Sequence, residues 1–378
     1  MLPLILSLSR LTRPCGAHRT GLDSDLMSDR RWLTSWLPAV LIASAAAVPT
    51  AADATQPLNP LYLYVSNYYG AGAGVNLYNG DTGAFVAPFV SAGSGGLSRA
   101  GSMAYGPNGQ LYVSSIGTAT VKRYSAYDGS YVDDFASGNG IGSPMVLTFG
   151  PDHNLYIGSH GDGNQIKKVD GITGAFLGDF LSGRAMQSPY SILFGADGMA
   201  YVGMYAASAV ARFNGQTGAF VDDFVPSGSG GLRNTTAIVF APDGSLLVSS
   251  DSGQVKRYHG QTGQYLGDFA ADISMTNPNE LHFGPGGDLF VSHGVTNTIK
   301  RFDGTSGAFL GDFIVPGSGG LQFNQDFFFS DRAIAVVPEP GTVVLWWLGG
   351  LLVSCAWRRA AGGERWALGT TALEGDGG

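Results

Sequence analysis

Six polar residues that can hold or activate a ligand stand beside short strand-like runs of this sequence. Carboxylate and amide oxygens accept hydrogen bonds or bind hard cations, and imidazole exchanges protons near neutral pH. Each of the six lies where the chain enters or leaves such a run, so their chemistry depends on whether the fold brings these ends together. The candidates are Asn279, Glu280, Asp326, Asp251, His160 and His293.

Several other kinds of chemistry are excluded or disfavoured by the sequence. The glycine-rich runs GSGGL at 93, 228 and 317 lack the Lys-Ser/Thr of a phosphate-binding loop and are predicted to be flexible connectors. No Gly-x-Ser-x-Gly elbow is present. The two cysteines, Cys15 and Cys355, lie near opposite ends, which excludes a disulfide framework, a zinc site or a cysteine nucleophile between them. The net charge of -8 and the lack of a Lys/Arg block argue against nucleic acid.

The elements that must position the six candidates recur along the chain. A run of the type Leu-Tyr-Val-Ser begins six times between positions 63 and 289, at spacings of 48, 44, 45, 46 and 43 residues. Runs similar to VKRY, TGAFLGDF and LTFGPDG accompany it, which makes four short strands a unit, separated by Pro-Asp-Gly-type turns. Four strands every ~45 residues predict the blade of a β-propeller. The fold class is therefore all-β, with six blades.

The phase of the repeats predicts how the ring closes. The first unit begins at Leu61 and lacks the strand of the LTFGPDG type, whereas an unassigned strand around Phe327 to Phe329 stands at the far end. This C-terminal strand is predicted to complete the first blade and remove the last free sheet edge. The propeller is expected to span residues 58–337.

The repeated pattern, with its FGPDG turn and VKRY strand, resembles the NHL-type propellers and their relatives, the sugar-lactone hydrolases and virginiamycin B lyase. In such blades the LTFGP strand lies innermost, so the ends that carry the six candidates share one face and converge on a central channel. The lactone hydrolases hold a divalent cation there, and the resemblance implies Ca²⁺ or Mg²⁺ bound by Asn279, Glu280, Asp326 and Asp251. The alternative is that these side chains cap turns or lie in solvent, because the positions equivalent to Glu280 in four blades are Ser102, Val146, Ser191 and Ala237.

The resemblance to virginiamycin B lyase implies a general base, His160 or His293, oriented by Asp162 or Asp251. That family is usually built with seven blades, and six are counted here. His282, inside an inner strand, and His259, at an outer turn, are expected to pack or form hydrogen bonds.

The N-terminal region predicts export. Arg30 and Arg31 precede an apolar stretch from Trp32 to Val48, and Thr50-Ala51-Ala52 offers a small-residue cleavage site. Residues 27–54 are therefore predicted to be a secretory signal peptide. The true start is expected at Met27, which would place residues 1–26 outside the translated protein; a transmembrane anchor is the alternative.

The C-terminal region resembles the PEP-CTERM sorting signal of Gram-negative bacteria. Pro338, Glu339 and Pro340 precede an apolar segment from Gly341 to Trp357, which ends at Arg358 and Arg359. An apolar helix of that length spans ~25 Å, and the arginines favour a cytoplasmic end. The resemblance implies an inner-membrane precursor, with a transmembrane helix within residues 338–359, that an exosortase-like enzyme processes for the surface or the extracellular matrix. Residues 360–378 are expected to form a disordered tail.

Taken together, these features favour an exported binding or scaffold module over an enzyme. An exopolysaccharide or a surface protein is the expected partner, and no cofactor is expected. The alternative is a metal-dependent hydrolase or lyase whose site lies in the channel.

Overall fold

The computed structural model describes residues 61–70, 73–160, 164–272, 275 and 277–331. The predicted leader and signal peptide, the sorting segment 338–359 and the tail 360–378 lie outside this part of the chain. Within the described ranges, no helix is long and apolar enough to span a membrane.

The described residues form twenty-four strands and three short 3-10 helices. The helices are Ser94–Gly96, Ser229–Gly231 and Ser318–Gly320. The strands are β1 Tyr62–Asn67, β2 Gly74–Asn79, β3 Phe85–Val90, β4 Ala100–Tyr105, β5 Leu111–Ser115, β6 Thr120–Tyr124, β7 Tyr131–Ser137, β8 Ser143–Phe149, β9 Leu155–His160, β10 Ile166–Val169, β11 Phe176–Asp179, β12 Pro189–Phe194, β13 Met199–Met204, β14 Ala209–Asn214, β15 Phe220–Val225, β16 Ile238–Phe240, β17 Leu246–Ser250, β18 Gln254–Tyr258, β19 Tyr265–Ala271, β20 Pro278–Phe283, β21 Leu289–His293, β22 Thr298–Phe302, β23 Phe309–Ile314 and β24 Asn324–Ser330.

The strands pair into six antiparallel sheets of four, which are the blades of a β-propeller. Blade 1 has the strand order β24-β1-β2-β3, and blades 2 to 6 follow in chain order from β4 to β23. The first strand of each sheet, β24, β4, β8, β12, β16 or β20, contacts the first strands of both neighbouring blades, so these six inner strands form a ring around the axis. The predicted all-β fold with six blades, and the innermost position of the LTFGP strand, are confirmed.

The C-terminal strand closes the ring as the repeat phase predicts. β24 pairs antiparallel with β1, with Leu63 opposite Phe329 and Val65 opposite Phe327. Phe327 is fully buried in the core between blades 6 and 1. Both ends of the described chain therefore contribute to one blade.

Apolar residues of the Leu-Tyr-Val-Ser runs are buried because each blade packs face to face with two others. Six separate apolar clusters occur among the described residues, one at each of the six blade interfaces. In these second strands, alternate side chains enter the clusters on opposite faces; Leu63 and Val65 enter one cluster, and Tyr64 enters another. A strand buried on both faces is expected to be apolar throughout, as these runs are.

In blades 1, 5 and 6 the serine that ends the Leu-Tyr-Val-Ser-type run holds the start of the facing inner strand, whereas Gly158 and Gly203 take this position in blades 3 and 4. The register between inner and second strands shifts in five of the blades at this level. The Oγ atoms of Ser66, Ser249 and Ser292 accept hydrogen bonds from backbone N–H groups of the facing inner strands, at 2.7 to 2.9 Å. Two of those N–H groups belong to Asp326 and Glu280. The bulge thus fixes the backbone from which these carboxylates project.

Candidate functional site

The inner strands enclose a central cavity of about 400 Å³. Its lining contains two levels of equivalent side chains, five at the first level and six at the second. The level nearer the start of these strands includes Ser102, Val146, Ser191, Glu280 and Asp326, and the next includes Ala104, Thr148, Leu193, Val239, His282 and Phe328. We call the face on which the inner strands begin the upper face. Polar groups are concentrated at the first level, whereas the second is mostly apolar.

Glu280 and Asp326 meet in this cavity from neighbouring blades, 6 and 1. Asp326 is 7% exposed, and its Oδ2 accepts hydrogen bonds from Ser102 Oγ at 2.9 Å and from the Met103 N–H at 2.7 Å. Burial raises the Asp326 pKa to about 6, although these two donors oppose the shift. Burial, and next the charge of Asp326, raise the pKa of Glu280 well above its usual value. Glu280 therefore retains its proton to a higher pH than an exposed glutamate does.

His282 lies beside the two carboxyl groups, whereas the sequence predicted that it packs or forms hydrogen bonds within its strand. Its Nε2 lies 4.0 Å from Glu280 Oε1, and its ring meets Phe327 edge to face. The side chains of His282 and Glu280 are 39% and 22% exposed to the channel, but the surrounding protein still removes most of the hydration of their charged forms. Burial lowers the His282 pKa to about 4, so the ring is neutral at pH 7 and forms no ion pair with Glu280.

The structure separates the four predicted metal ligands. Asn279 is 8% exposed, and its Nδ2 donates to the Asn324 carbonyl oxygen at 2.9 Å, so it links two strands instead of binding a ligand. Asp251 belongs to a separate group on the upper face. Within the part of the chain that the structure describes, no cluster of three or more His, Cys, Asp or Glu side chains could hold a metal ion. Glu280 and Asp326 are the two predicted ligands that the fold brings together.

The two predicted histidine bases both end second strands, but His293 is equivalent to Ser159 and not to His160, and their environments differ. His293 is fully buried, and its Nδ1 forms a hydrogen bond with Thr296 Oγ1 in the turn that follows β21. It caps that turn and cannot reach a ligand in the channel. His160 is partly exposed, and no hydrogen-bond partner for its buried Nδ1 occurs among the described residues. Asp162, its predicted orienting group, lies outside them.

A second polar site lies on the upper face, and we call it the upper-face cluster: His160, Tyr190, Tyr205, Asn234 and Asp251. The rings of Tyr190 and Tyr205 stack with centroids 4.8 Å apart and planes 27° apart, and His160 meets Tyr190 edge to face at 5.6 Å. Asp251 Oδ2 accepts hydrogen bonds from Asn234 Nδ2 at 2.7 Å and from the Tyr205 hydroxyl at 3.2 Å. Three consecutive blades, 3, 4 and 5, thus contribute to one cluster.

The charges within the upper-face cluster are arranged to keep both phenols protonated. Burial raises the Tyr205 pKa, and the Asp251 charge adds to the shift. The Tyr190 pKa is raised first by burial and then by the phenols of Tyr205 and Tyr68 and the Asp251 charge. Asp251 Oδ1 is buried and, within the described part of the chain, has no hydrogen-bond partner. The cluster combines aromatic faces, phenol donors and unmet hydrogen-bonding capacity.

A third group, on blades 1 and 2, faces the upper-face cluster across the axis. Tyr68 contacts Tyr69 at a centroid distance of 4.5 Å and Phe323 at 5.7 Å. The Arg99 guanidinium lies 5.9 Å from the centre of the Tyr68 ring. Tyr69 is 51% exposed. Because blades 1 and 4 are opposite in a six-membered ring, Tyr68 and Tyr190 border the upper mouth of the channel from opposite sides.

Sequence reasoning therefore identified parts of two sites as if they formed one. His282 was recognisable from the two-residue period of a strand, since residues 280 and 282 must share a face. Asn279 is not among the residues that line the cavity, and its amide contacts Asn324 instead. Asn234 carries no such signal, because its position depends on the conformation of an upper-face connection. Tyr68 was recognisable from the repeat, since it follows its Leu-Tyr-Val-Ser run at the same distance as Tyr205 and Asp251 follow theirs.

No known protein family and no curated protein matches this chain in sequence. The fold is similar to solved propellers. A chain in the crystal structure of a nidogen/laminin complex aligns over 73% of this chain and 100% of its own length, with 12% identity and a TM-score of 0.56. A protein of unknown function from Bacteroides caccae aligns over 72% and 100%, with 16% identity and a TM-score of 0.54. Virginiamycin B lyase from Staphylococcus aureus aligns over 57% and 70%, with 16% identity and a TM-score of 0.47.

At these identities the likeness extends to the fold alone. The chain is a β-propeller built of repeats, an architecture found in proteins with unrelated functions. The function must be argued from the side chains of this chain.

Proposed function

We propose that this protein is an exported binding module that attaches to the cell surface or extracellular matrix through the upper face of its propeller. The observation that supports this most directly is the upper-face cluster, where stacked tyrosines, a fixed carboxylate and an amide meet at the channel mouth. Concave sites with aromatic walls and a few oriented polar groups are typical of ligand binding. The partner is an exopolysaccharide or another surface protein.

Attachment through this face is tested with the mature protein and matrix from the producing bacterium. Tyr190→Ala and Tyr205→Ala, which remove the stacked rings, are expected to reduce the matrix-bound fraction at least about tenfold, as loss of a central aromatic contact typically does. Tyr127→Ala is the matched control, because Tyr127 is 61% exposed in the β6–β7 turn on the opposite face. Equal retention of all these variants would contradict the proposal.

The sorting route is part of the same proposal. Pro338-Glu339-Pro340, the apolar segment and Arg358-Arg359 stand in the order of a PEP-CTERM signal, and an exosortase-like enzyme would process the inner-membrane precursor. Glu339→Ala is expected to leave the protein in the inner membrane. Glu364→Ala, which changes a glutamate beyond the arginine pair, is the control and is expected to be released normally. Mass spectrometry of the mature protein would report both processed ends, and normal release of the Glu339 variant would contradict this route.

A metal-dependent hydrolase or lyase is the second candidate, because the Glu280–Asp326 pair carries perturbed pKa values inside a cavity. These two carboxylates would need a third oxygen or nitrogen ligand. A cation that binds the folded state stabilises it. This function therefore predicts a higher melting temperature with Ca²⁺ or Mg²⁺ than with EDTA, and loss of the difference in Glu280→Gln. An unchanged melting temperature would exclude the metal enzyme and leave the binding module.

A further inference from the structure

We propose that the upper-face cluster is a binding site for the pyranose rings of a polysaccharide, with Tyr190 and Tyr205 as the stacking platform and Asp251 as a positioning residue. This inference rests on the proposed function and names the ligand class for it. It concerns a site that lies apart from the Glu280–Asp326 pair.

The tyrosine pair is rigid before any ligand arrives. The Tyr205 hydroxyl is tied to Asp251, Asp251 is tied to Asn234, and the Tyr190 ring is flanked by Tyr205 and His160. The backbone N–H of Asp251 also donates to the Arg233 carbonyl oxygen at 2.9 Å, which fixes the backbone that carries the carboxylate. Aromatic side chains held in this way add contact area with little loss of conformational freedom.

The chemistry of the cluster matches a ring that has a C–H face and hydroxyl edges. The electron-rich face of an aromatic ring attracts weakly positive C–H groups, so a pyranose stacks on it. Phenol, amide and carboxylate groups around the platform can exchange hydrogen bonds with hydroxyl groups in both directions. Asp251 Oδ1 and His160 Nδ1 are buried without a partner among the described residues, so ligand hydroxyl groups that reach them would satisfy their hydrogen-bonding capacity.

Aromatic groups on two sides of the mouth favour a chain of sugars over a single one. Tyr68, with Arg99 beside its ring, borders the mouth from blade 1, opposite the platform on blade 4. A polysaccharide that crosses the axis would contact both sides. Arg99 and Asp251 carry opposite charges, so the cluster fits a neutral polymer, and an acidic one would have to bind nearer to Arg99.

The test is affinity electrophoresis of the purified full-length protein. It measures how strongly the protein is retarded in gels that contain dextran, a neutral glucan, or alginate, an acidic polymer. Dextran is expected to retard the wild type, and Tyr190→Ala to weaken the affinity about tenfold or more. Tyr190→Phe, which keeps the ring, is expected to recover most of this loss. Tyr205→Phe keeps the stack but removes the donor to Asp251, and is expected to weaken binding about threefold to tenfold. Tyr127→Ala is again the unaffected control.

Retardation by alginate alone, or equal retardation of Tyr190→Ala and the wild type, would overturn the assignment of a neutral polysaccharide to this cluster. The matrix itself provides a second measurement. Periodate, which cleaves vicinal diols, should abolish binding to isolated matrix, whereas protease treatment should leave it intact. The opposite pattern, with binding still lost in Tyr190→Ala, would identify a protein partner: it would refute the saccharide site and leave the proposed binding function standing. Circular dichroism confirms that each variant is folded.

Discussion

At the scale of single residues, the protonation of Glu280 is the feature of the channel with the clearest effect on the stability of the fold. Glu280 is the one glutamate in the described part of the chain, and it faces Asp326 across the junction at which the ring closes. A carboxyl group whose pKa is higher in the folded than in the unfolded protein binds its proton more tightly when folded. Its contribution to stability is complete below the unfolded pKa and is lost as the pH rises through the folded pKa.

The neighbouring groups confine this effect to a defined pH range. The Asp326 pKa is raised to about 6, so its own contribution has been largely lost near pH 6. His282 has the opposite sign: its pKa is lowered to about 4, so its contribution is complete above the unfolded value near 6.5 and is lost as the pH falls. Above pH 6.5 the contributions of Asp326 and His282 therefore change little, so a further fall in stability in this range would report the ionisation of Glu280, whose pKa is raised by burial.

We predict that the wild-type melting temperature falls as the pH rises from about 6.5, until Glu280 is ionised. Release of one proton lowers the free energy of unfolding by at most about 1.4 kcal/mol per pH unit. In a domain of this size that lowers the melting temperature by roughly 2–4 °C per pH unit. Glu280→Gln, which resembles the protonated form, should remove this slope. Differential scanning calorimetry between pH 6.5 and 9 measures it, with Asp81→Asn, in an exposed turn, as the control. An unchanged slope in the Glu280 variant would show that Glu280 ionises at an ordinary pH.

At the scale of elements, the three Gly-Ser-Gly-Gly-Leu connectors, which the sequence predicts to be flexible, adopt one common conformation held by hydrogen bonds from the blades. Each contains a short 3-10 helix whose first carbonyl accepts a hydrogen bond from a buried tyrosine of the blade that follows, such as Tyr258 to Ser229 at 2.8 Å. The middle glycine has a positive φ and lies against an aromatic ring; a Cβ on Gly230 would come within 2.3 Å of the Tyr265 ring. Glycine is required there both for the backbone conformation and for the space.

We predict that Gly230→Ala destabilises the protein more than Gly228→Ala does. Both residues have positive φ, but nothing lies within 4 Å of a Cβ on Gly228. Gly228→Ala should therefore cost about 1 kcal/mol of unfolding free energy from backbone strain, and Gly230→Ala about 1–3 kcal/mol more because the ring must move. The Tyr265 hydroxyl is held by Asp268 at 2.7 Å, which resists that movement.

Denaturant unfolding compares the two alanine variants in the wild type and in a Tyr265→Ala background. The extra cost at Gly230 should disappear when the ring is absent. A persistent difference between the two positions without Tyr265 would mean that the ring is not its cause.

How far the sequence predicts these elements depends on what fixes them. The four strands of a blade follow from local periodicity, and the inner position of the LTFGP strand follows from the resemblance. The side chains that meet above the channel do not, because Tyr205 and Asp251 belong to turns of different blades. Asn279 and His293 lie apart from the channel for local reasons: the Asn279 amide donates to the Asn324 carbonyl oxygen, and the turn after β21 encloses His293.

At the scale of the whole molecule, stability depends on a ring of six similar interfaces, each with its own apolar core. Blade 1 differs from the others because its sheet joins the two ends of the described chain, through the pairing of β24 with β1. This closure was predictable from the sequence, because the first repeat lacks its inner strand and an unassigned strand follows the last repeat. Tyr62 and Ser330 form the last pair of the β1–β24 ladder, at the end away from the upper face.

We predict that a disulfide between Tyr62→Cys and Ser330→Cys locks the ring, in a protein with Cys15→Ser and Cys355→Ser to prevent competing pairs. Facing residues of antiparallel strands lie about 4.5–5.5 Å apart at Cα, within the range that a disulfide spans. The bond would close a loop of about 270 residues and restrict the unfolded chain, so the oxidised protein should gain on the order of 3–5 kcal/mol over its reduced form. Guanidinium unfolding with and without a reductant measures the gain, and Tyr62→Cys alone, with the same two serines, controls for the substitution. Failure of the bond to form would place the two strands apart, and a bond that leaves the midpoint unchanged would show that opening of this junction does not limit stability.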